Sequence, residues 1–332
     1  MTKFIVVFAL AIFAAFGQSN TVVGAGYSAP VPLTVAPGQV VTLFVAGVGA
    51  SLTQPVRAPS GTLPDTLAGI SVTLKQFGSE APVPLLSVEP VSTCSPTLSQ
   101  GSCGTLTAVT VQIPFELQTL CFLCARPVGP SPQLFVTENS QAGTSIDLTP
   151  LADQIHILTT CDLPLAPSRV GRLNLTGLPC PPLVTHGDGS LVSATKPAKA
   201  GEQLVAYAVG LGTTNPPAET GQPAATASPT TEFLTIDYNY HPNALPSKPL
   251  VFPNTGDPPP QLAPLFSGLT PGFVGLYQIN FFVLGDTAGI QPCTDATTFP
   301  PGAVFVVQSN LTVSFGGAFS FGGAGICVAP RS

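Results

Sequence analysis

A pattern that occurs twice is the strongest constraint on how this chain folds. Its copies are Gly38–Gly49 and Gly201–Gly212; each opens with Gly-polar, continues as an apolar run and closes on Gly-apolar-Gly. Glycine at these places indicates turns, because it adopts backbone conformations that other residues avoid. The pattern therefore predicts a strand between two turns, used once in each half. No helical pattern follows either Gly-x-Gly, so neither indicates a phosphate-binding loop.

Aligning the two copies matches further segments in the same order. Phe44 falls opposite Tyr207, and later matches join Leu85-Leu-Ser87 with Leu265-Phe-Ser267 and Gln112-Ile113 with Gln278-Ile279. This preserved order predicts that one module has been duplicated in tandem.

Alternation of apolar and polar residues predicts several half-buried strands. The clearest are Thr107–Ile113, Phe233–Tyr240, Gly275–Val283 and Asn310–Phe315. In the third of these, Tyr277, Ile279, Phe281 and Val283 are predicted to share one face. The apolar segment Gln154–Leu158 is interpreted as a further strand of the first half.

Proline and glycine are spread through the whole chain, with 38 Pro and 33 Gly among 332 residues. Proline disrupts helix interiors, so this spread argues against a helical bundle. Together with the strand pattern, it predicts an all-β fold of two tandem immunoglobulin-like antiparallel β-sandwich domains. Their predicted limits are 18–160 and 186–332, with a Pro-rich, disulfide-stapled connection at 161–185.

The first seventeen residues resemble a secretory signal peptide. Lys3 precedes an apolar run from Phe4 to Phe16, and small residues follow it. The run is shorter than the ~18–20 residues that span a bilayer, which disfavours the alternative of a membrane anchor. We expect cleavage near Gln18, with a second candidate near Gly26. The mature protein is then secreted or extracytoplasmic, at the cell surface or in the periplasm, without a stable transmembrane segment.

Eight cysteines in an exported chain indicate disulfides. Neighbour pairing favours Cys94 with Cys103, Cys121 with Cys124, Cys161 with Cys180, and Cys293 with Cys327, although other pairings stay open. Cys121-Phe-Leu-Cys124 has the spacing of a redox motif, but such a motif opens a helix. Here it lies between predicted strands, and a structural disulfide is the favoured interpretation.

The sequence contains no pattern of catalytic, metal-binding or cofactor-binding residues. The three histidines, His156, His186 and His241, show no zinc-ligand spacing, and no Gly-x-Ser-x-Gly elbow is present. Asp188 and Asp286 are each solitary, whereas a calcium site needs several carboxylates. We therefore predict a protein that is not an enzyme and needs no cofactor.

Candidate interaction residues are few. Phe319 and Phe321 lie in a Gly-rich tail. Core placement is favoured for Tyr238 and Tyr240, and the alternative is an exposed ledge if their strand lies at a sheet edge. The formal net charge is -6, and the ten basic residues are dispersed. Such a distribution does not indicate nucleic acid as a partner.

Several segments of the second half resemble a known but uncharacterised family. They are His186-Gly-Asp-Gly-Ser-Leu-Val192, Tyr207-Ala-Val-Gly-Leu-Gly212, Gly221-Gln-Pro-Ala224 and Leu269–Asn280. The resemblance is to a C-terminal domain of secreted Acidobacteria (Solibacter-type) proteins, and the first half carries it more faintly. It implies an extracytoplasmic immunoglobulin- or TIG-like module with no assigned catalysis.

These observations lead to one functional prediction with two alternatives. We expect a secreted, non-enzymatic β-sandwich protein with a structural, adhesive or protein-interaction role at the cell surface. The alternatives are a carbohydrate- or cell-wall-binding module and, less favoured, an extracellular hydrolase.

Overall fold

The computed structural model describes residues 20–27, 30–31, 34–92, 104–119, 131–162, 180–238, 241–242, 262–285, 308–309, 311–315 and 321–329. Regular structure in these residues consists of β-strands, without a helix. Accordingly, no helix in this part of the chain is long and apolar enough to cross a bilayer. The predicted signal peptide, residues 1–17, lies outside the described residues.

The strands of the N-terminal half form two antiparallel sheets and one short parallel pair. In chain order they are β1 (Thr21–Gly26), β2 (Pro30–Val31), β3 (Thr34–Val35), β4 (Val40–Ala46), β5 (Val56–Arg57), β6 (Thr66–Leu67), β7 (Ile70–Gln76), β8 (Ser79–Val83), β9 (Leu85–Ser92), β10 (Thr105–Gln112), β11 (Gln133–Glu138), β12 (Gln141–Ala142), β13 (Ile146–Asp147) and β14 (Thr149–Pro150). The first sheet has the order β2-β1-β4-β10-β9-β5. The second sheet has the order β12-β11-β7-β6, with β8 beside β7 and β13 beside β11, and β3 pairs with β14.

The strands of the C-terminal half form two antiparallel sheets and one short antiparallel pair. Its strands are β15 (His156–Ile157), β16 (Val184–His186), β17 (Gln203–Val209), β18 (Ser228–Pro229), β19 (Leu234–Asp237), β20 (His241–Pro242), β21 (Phe266–Leu269), β22 (Tyr277–Phe282), β23 (Gln308–Ser309), β24 (Leu311–Phe315) and β25 (Phe321–Ala324). The third sheet has the order β15-β17-β22-β21-β18, with β16 also beside β17. The fourth sheet has the order β19-β24-β25, and β20 pairs with β23.

Each half buries one apolar core between its two sheets. The core between the first and second sheets includes Leu43, Val109, Ile70 and Val136. The core between the third and fourth sheets includes Leu204, Ile236, Val313 and the four residues predicted to share a face, Tyr277, Ile279, Phe281 and Val283. Alternating apolar residues are thus buried as their period demands. The predicted all-β sandwich class is confirmed.

The two halves place corresponding strands in the same order. In the first sheet β4 is followed by β10, β9 and β5; in the third sheet β17 is followed by β22, β21 and β18. In the opposing sheets, β7 pairs with β11 and β19 pairs with β24. The order of these strands is therefore the same in the two halves.

The register of one matched pair differs from the sequence alignment. Leu43 pairs with Val109, and its counterpart Ala206 pairs with Ile279. Val109, rather than Ile113, is therefore the counterpart of Ile279, and the predicted match was displaced by four residues. An even displacement keeps every side chain on its predicted face, which explains why the alternation alone did not reveal it.

The strand predicted at Gln154–Leu158 belongs to a different sheet from the one expected. It forms β15, in which His156 pairs with Val209 of β17, and Ile155 and Ile157 lie in the core of the C-terminal half. The prediction that it joins the first half was wrong. The apolar pattern of a segment predicts that the segment is buried, but it does not predict the sheet in which the segment pairs.

After β15 the chain leaves the edge of the third sheet and returns to the same place. Leu158 N donates to Tyr207 O over 2.9 Å, and Tyr207 N donates to Leu183 O over 3.0 Å. The Cys161–Cys180 disulfide joins the departing and returning strands. The segment 161–185, predicted as the connection between domains, thus begins and ends beside β17.

The two halves meet through close backbone contacts and buried polar groups. Gln154 N donates to Gly210 O over 2.8 Å, Gly221 N donates to Gln112 Oε1 over 2.6 Å, and Leu63 N donates to Gly221 O over 2.8 Å. Gly275 approaches the N-terminal half so closely that a Cβ atom there would lie 2.9 Å from Gly38 O. We call this set of contacts the junction.

Candidate functional site

The junction contains a buried cluster built around His156. His156 Nε2 lies 3.0 Å from Asp162 Oδ2, which also accepts a 2.6 Å hydrogen bond from Thr159 N. The imidazole stacks on the Tyr27 ring, with centroids 3.6 Å apart and planes 3° from parallel. Gln39 Nε2 donates to Tyr27 Oη over 2.5 Å. Tyr27 and Gln39 come from the N-terminal half, so the cluster joins the two sandwiches.

A paired histidine and aspartate are two members of a hydrolytic triad, but the surroundings of this cluster do not suit that chemistry. The second ring nitrogen, His156 Nδ1, is buried without a hydrogen-bond partner. Asp162 is 1% exposed, and burial raises the pKa of Tyr27 far above its ordinary value despite the hydrogen bond from Gln39. A general base must be within reach of the proton it removes from a substrate. Buried in this way, the cluster fits a packing role.

A second histidine, His186, is held at the end of β16. Its Nδ1 lies 2.7 Å from Glu202 Oε1, and its Nε2 lies 3.1 Å from Lys196 O. Lys199 N donates to the other oxygen of Glu202 over 2.8 Å. Burial disfavours the ionised form of Glu202, but the hydrogen bonds from His186 and Lys199 outweigh it and lower its pKa. These contacts fix the turn that leads into β17.

Asp188, which the sequence presents as a solitary acid, stabilises the neighbouring turn. Its Oδ1 accepts a 3.0 Å hydrogen bond from Ser190 N, and its Oδ2 lies 2.6 Å from Lys196 Nζ. The hydrogen bonds from Lys196 and Ser190 lower the pKa of this exposed carboxyl. Both carboxylate oxygens are therefore used locally, in agreement with a turn-forming role.

The Glu202→Gln variant is expected to reduce stability at neutral pH by a few tenths to about 1 kcal/mol, the size of a partly exposed ion pair. Because folding lowers the pKa of Glu202, its ionised form contributes stability above its unfolded pKa. That contribution is lost as the pH falls through the folded pKa. Urea unfolding of both proteins between pH 7 and pH 3 should show curves that converge in acid. A difference that grows as the pH falls would contradict this assignment.

The turn after β4 borders a cleft of about 600 Å³. Its described lining includes Thr21, Gly47, Gly49, Pro90 and Thr107, and it contains no ionisable side chain. In the C-terminal half, the matching glycines Gly210 and Gly212 instead face the backbone oxygens of Gln154 and Ala152. The cleft in the N-terminal half therefore corresponds to the space that the backbone of Ala152 and Gln154 occupies in the C-terminal half.

The outer face of the third sheet carries aromatic and amide side chains. Cross-strand partners share a face, and one outward row is Val205–Asn280–Phe266 while the next includes Tyr207 and Gln278. Phe282, at the end of β22, lies on the same face and is 50% exposed. We call these six residues the aromatic face. Tyr207 matches Phe44, which is fully buried, so the sequence repeat did not indicate that this position faces outward.

The interaction residues proposed from the sequence lie elsewhere. Tyr238 is only 5% exposed, and its hydroxyl donates to Phe282 O over 2.6 Å. Tyr238 therefore has the favoured core placement and not the exposed ledge, because it continues the buried row of β19 into the core. Phe321 begins β25, opposite Ser314, whereas Phe319 and Tyr240 lie outside the described residues.

The cysteine predictions are confirmed where the structure describes both partners. Cys161 and Cys180 form a disulfide. Cys327 is also disulfide-bonded, and its partner is not among the described residues. The predicted pairing of Cys293 with Cys327 stays a prediction. The remaining candidates, Cys94, Cys103, Cys121 and Cys124, lie outside the described residues.

Within the described ranges, no group of three or more His, Cys, Asp or Glu side chains converges on a point that could hold a metal ion. His241 lies in β20, and Asp286 is outside the described residues. Comparisons of the chain with protein-family models, with curated proteins and with solved structures found no match.

Proposed function

We propose that this protein is an exported, non-enzymatic β-sandwich protein with a structural, adhesive or protein-interaction role at the cell surface. The signal-like N-terminus and the Cys161–Cys180 disulfide support export, because structural disulfides persist in oxidising compartments. The groups best suited to acid–base chemistry also support the proposal. His156, His186 and Asp188 are each used in contacts that hold the fold together.

The junction is the observation that carries this proposal. β15 comes from the chain between the halves and is an edge strand of the third sheet, and Ile155 beside it is fully buried. The Tyr27–His156 stack and the hydrogen bond from Gly221 N to Gln112 Oε1 add buried contacts across the halves. Such contacts hold two domains in one orientation, whereas flexible linkers allow relative motion. A fixed pair of sandwiches suits a protein that presents surfaces to partners.

The proposal includes a duplication of one immunoglobulin-like module. The shared strand order of the two halves and the paired glycines at their opening strands support it. Membership in the uncharacterised Solibacter-type family is part of the same proposal, on the strength of the segments from His186 to Asn280.

Expression of the full chain with its own N-terminus in a diderm bacterial host tests the export part. We expect the protein outside the cytoplasm, shortened at its N-terminus, with few or no free thiols by mass spectrometry of non-reduced peptides. Cytoplasmic retention with several free thiols would overturn it. Affinity capture from the native cell surface tests the interaction part, and repeated failure to retain any specific partner under several growth conditions would refute it.

A further inference from the structure

The outer face of the third sheet differs from the outer faces of the other sheets. On the first sheet, the matching positions are nine-tenths or more buried and include the hydrogen-bonded pair Thr42–Thr110. On the fourth sheet, the outward residues include Thr235, Ser314 and Asp237. The aromatic face instead turns Tyr207, Phe266 and Phe282 outward, half-buried or exposed. Aromatic side chains grouped on one outward face are the feature that distinguishes the third sheet from the other three.

The chemistry of the aromatic face is uncharged throughout. Its polar members are the amides of Gln278 and Asn280, and amides both donate and accept hydrogen bonds. Asn280 Oδ1 is buried without a hydrogen-bond partner, which leaves the half-buried Gln278 as the amide available to a ligand. Phe266 pairs with Asn280, and Phe282 lies two residues farther along the same strand, so the two phenylalanines are diagonal neighbours. Two apolar rings therefore lie beside each other on an uncharged surface.

The size of the face decides between a protein partner and a narrower ligand. It spans three neighbouring strands, β17, β22 and β21, and up to five residues along β22, or about 10 Å by 13 Å, which is about 130 Å². A stable protein–protein interface buries about 800 Å² on each partner. The end of the face at Tyr207 is partly covered by the protein itself, because Tyr207 packs against the apolar cluster that includes Val40 of the N-terminal half. The remaining strip is too small for a stable dimer and suits a single extended chain.

We propose that the aromatic face binds a neutral polysaccharide, with sugar rings stacked on Phe266 and Phe282 and hydroxyl groups bonded to Gln278. Sugar rings present apolar C–H surfaces that pack on aromatic faces, and their hydroxyl groups match amide donors and acceptors. The six residues of the face include no basic side chain to pair with an acidic sugar, so the ligand is neutral. This inference rests on the proposed export of the protein, because it names the partner that the exported protein meets.

The test is co-sedimentation of the full-length, disulfide-intact protein with insoluble neutral polysaccharides: cellulose, chitin, an insoluble β-1,3-glucan and mannan. We expect binding to at least one, and an apparent Kd that is about five- to tenfold weaker in the Phe282→Ser variant, which loses one stacking ring. Phe77→Ser is the matched control, because Phe77 is 52% exposed but lies in the turn between β7 and β8. Urea unfolding midpoints show whether each variant is folded.

Each alternative outcome overturns the inference. No binding of the wild-type protein to any of the four polysaccharides removes it, as does equal binding by both variants or an equal loss in both. Sedimentation velocity tests the other occupant: a dimer that forms in the wild type and not in Phe282→Ser assigns the face to a second copy of this chain. Failure of export is measured separately by cell fractionation, so a correctly exported protein that binds no polysaccharide refutes this inference alone.

Discussion

Replacing Gly210 with alanine is expected to destabilise the protein by more than about 3 kcal/mol, because two costs act at the same position. The backbone there has φ of 77°, a conformation that glycine adopts readily and alanine does not. A Cβ atom would also lie 2.1 Å from Gln154 O, inside the junction. Backbone oxygen cannot move aside as a flexible side chain would, so β15 would have to separate from β17. Urea unfolding measures the loss.

The Gly201→Ala variant separates these two costs. Gly201 has φ of 72°, but nothing lies within 4 Å of the position of its Cβ atom. We therefore expect only the backbone cost, about 1 kcal/mol. The difference between the two variants reports the tightness of the junction. Equal destabilisation by both substitutions would show that Gln154 does not press on Gly210.

Removal of the Cys161–Cys180 disulfide is the second change with a large expected effect. The bond closes a loop with a sequence separation of 19, and its loss in the Cys161→Ala/Cys180→Ala variant should cost about 3 kcal/mol, because the unfolded chain gains freedom. Asp162 follows Cys161 directly and holds His156 in the junction. We therefore also expect weaker protection of the β15 amides against hydrogen exchange than of the β22 amides.

Reductant provides the control for this variant. Added to the wild type, it should reproduce the loss seen in the double variant and add the effect of any other disulfide, including the one formed by Cys327. Added to the double variant, it should produce only the second effect. Unchanged stability of the double variant would contradict a structural role for this bond.

The local structure was predictable from the sequence to a large extent. The predicted strand Val40–Ala46 is β4, and its counterpart after Gly201 is β17. All six matched glycines of the repeated pattern, Gly38, Gly47, Gly49, Gly201, Gly210 and Gly212, have positive φ. These features depend on turn chemistry and on alternation within one strand, and both are properties of short segments.

The pairing of distant segments was not predictable in the same way. His156 and Ile157 pair with β17 rather than with the first half, and Ile279 matches Val109 rather than Ile113. The aromatic face was not predicted for a related reason, since it is assembled from one to three residues of each of three strands. Alternation assigns Tyr277, Ile279 and Phe281 to one face and Phe282 to the other. It does not say that the second face is left open.

The short passage between the two cores determines how the protein would respond to tension. Pro150 is still paired with Val35, Leu151 N donates to Val35 O, Gln154 N donates to Gly210 O, and Ile155 is already in the next core. No slack segment separates the halves. A force applied between the two ends of the chain would therefore act directly on the hydrogen bonds between β15 and β17, because there is no flexible linker that would extend first. At a cell surface, such a protein would transmit force as a stiff element with little compliance of its own.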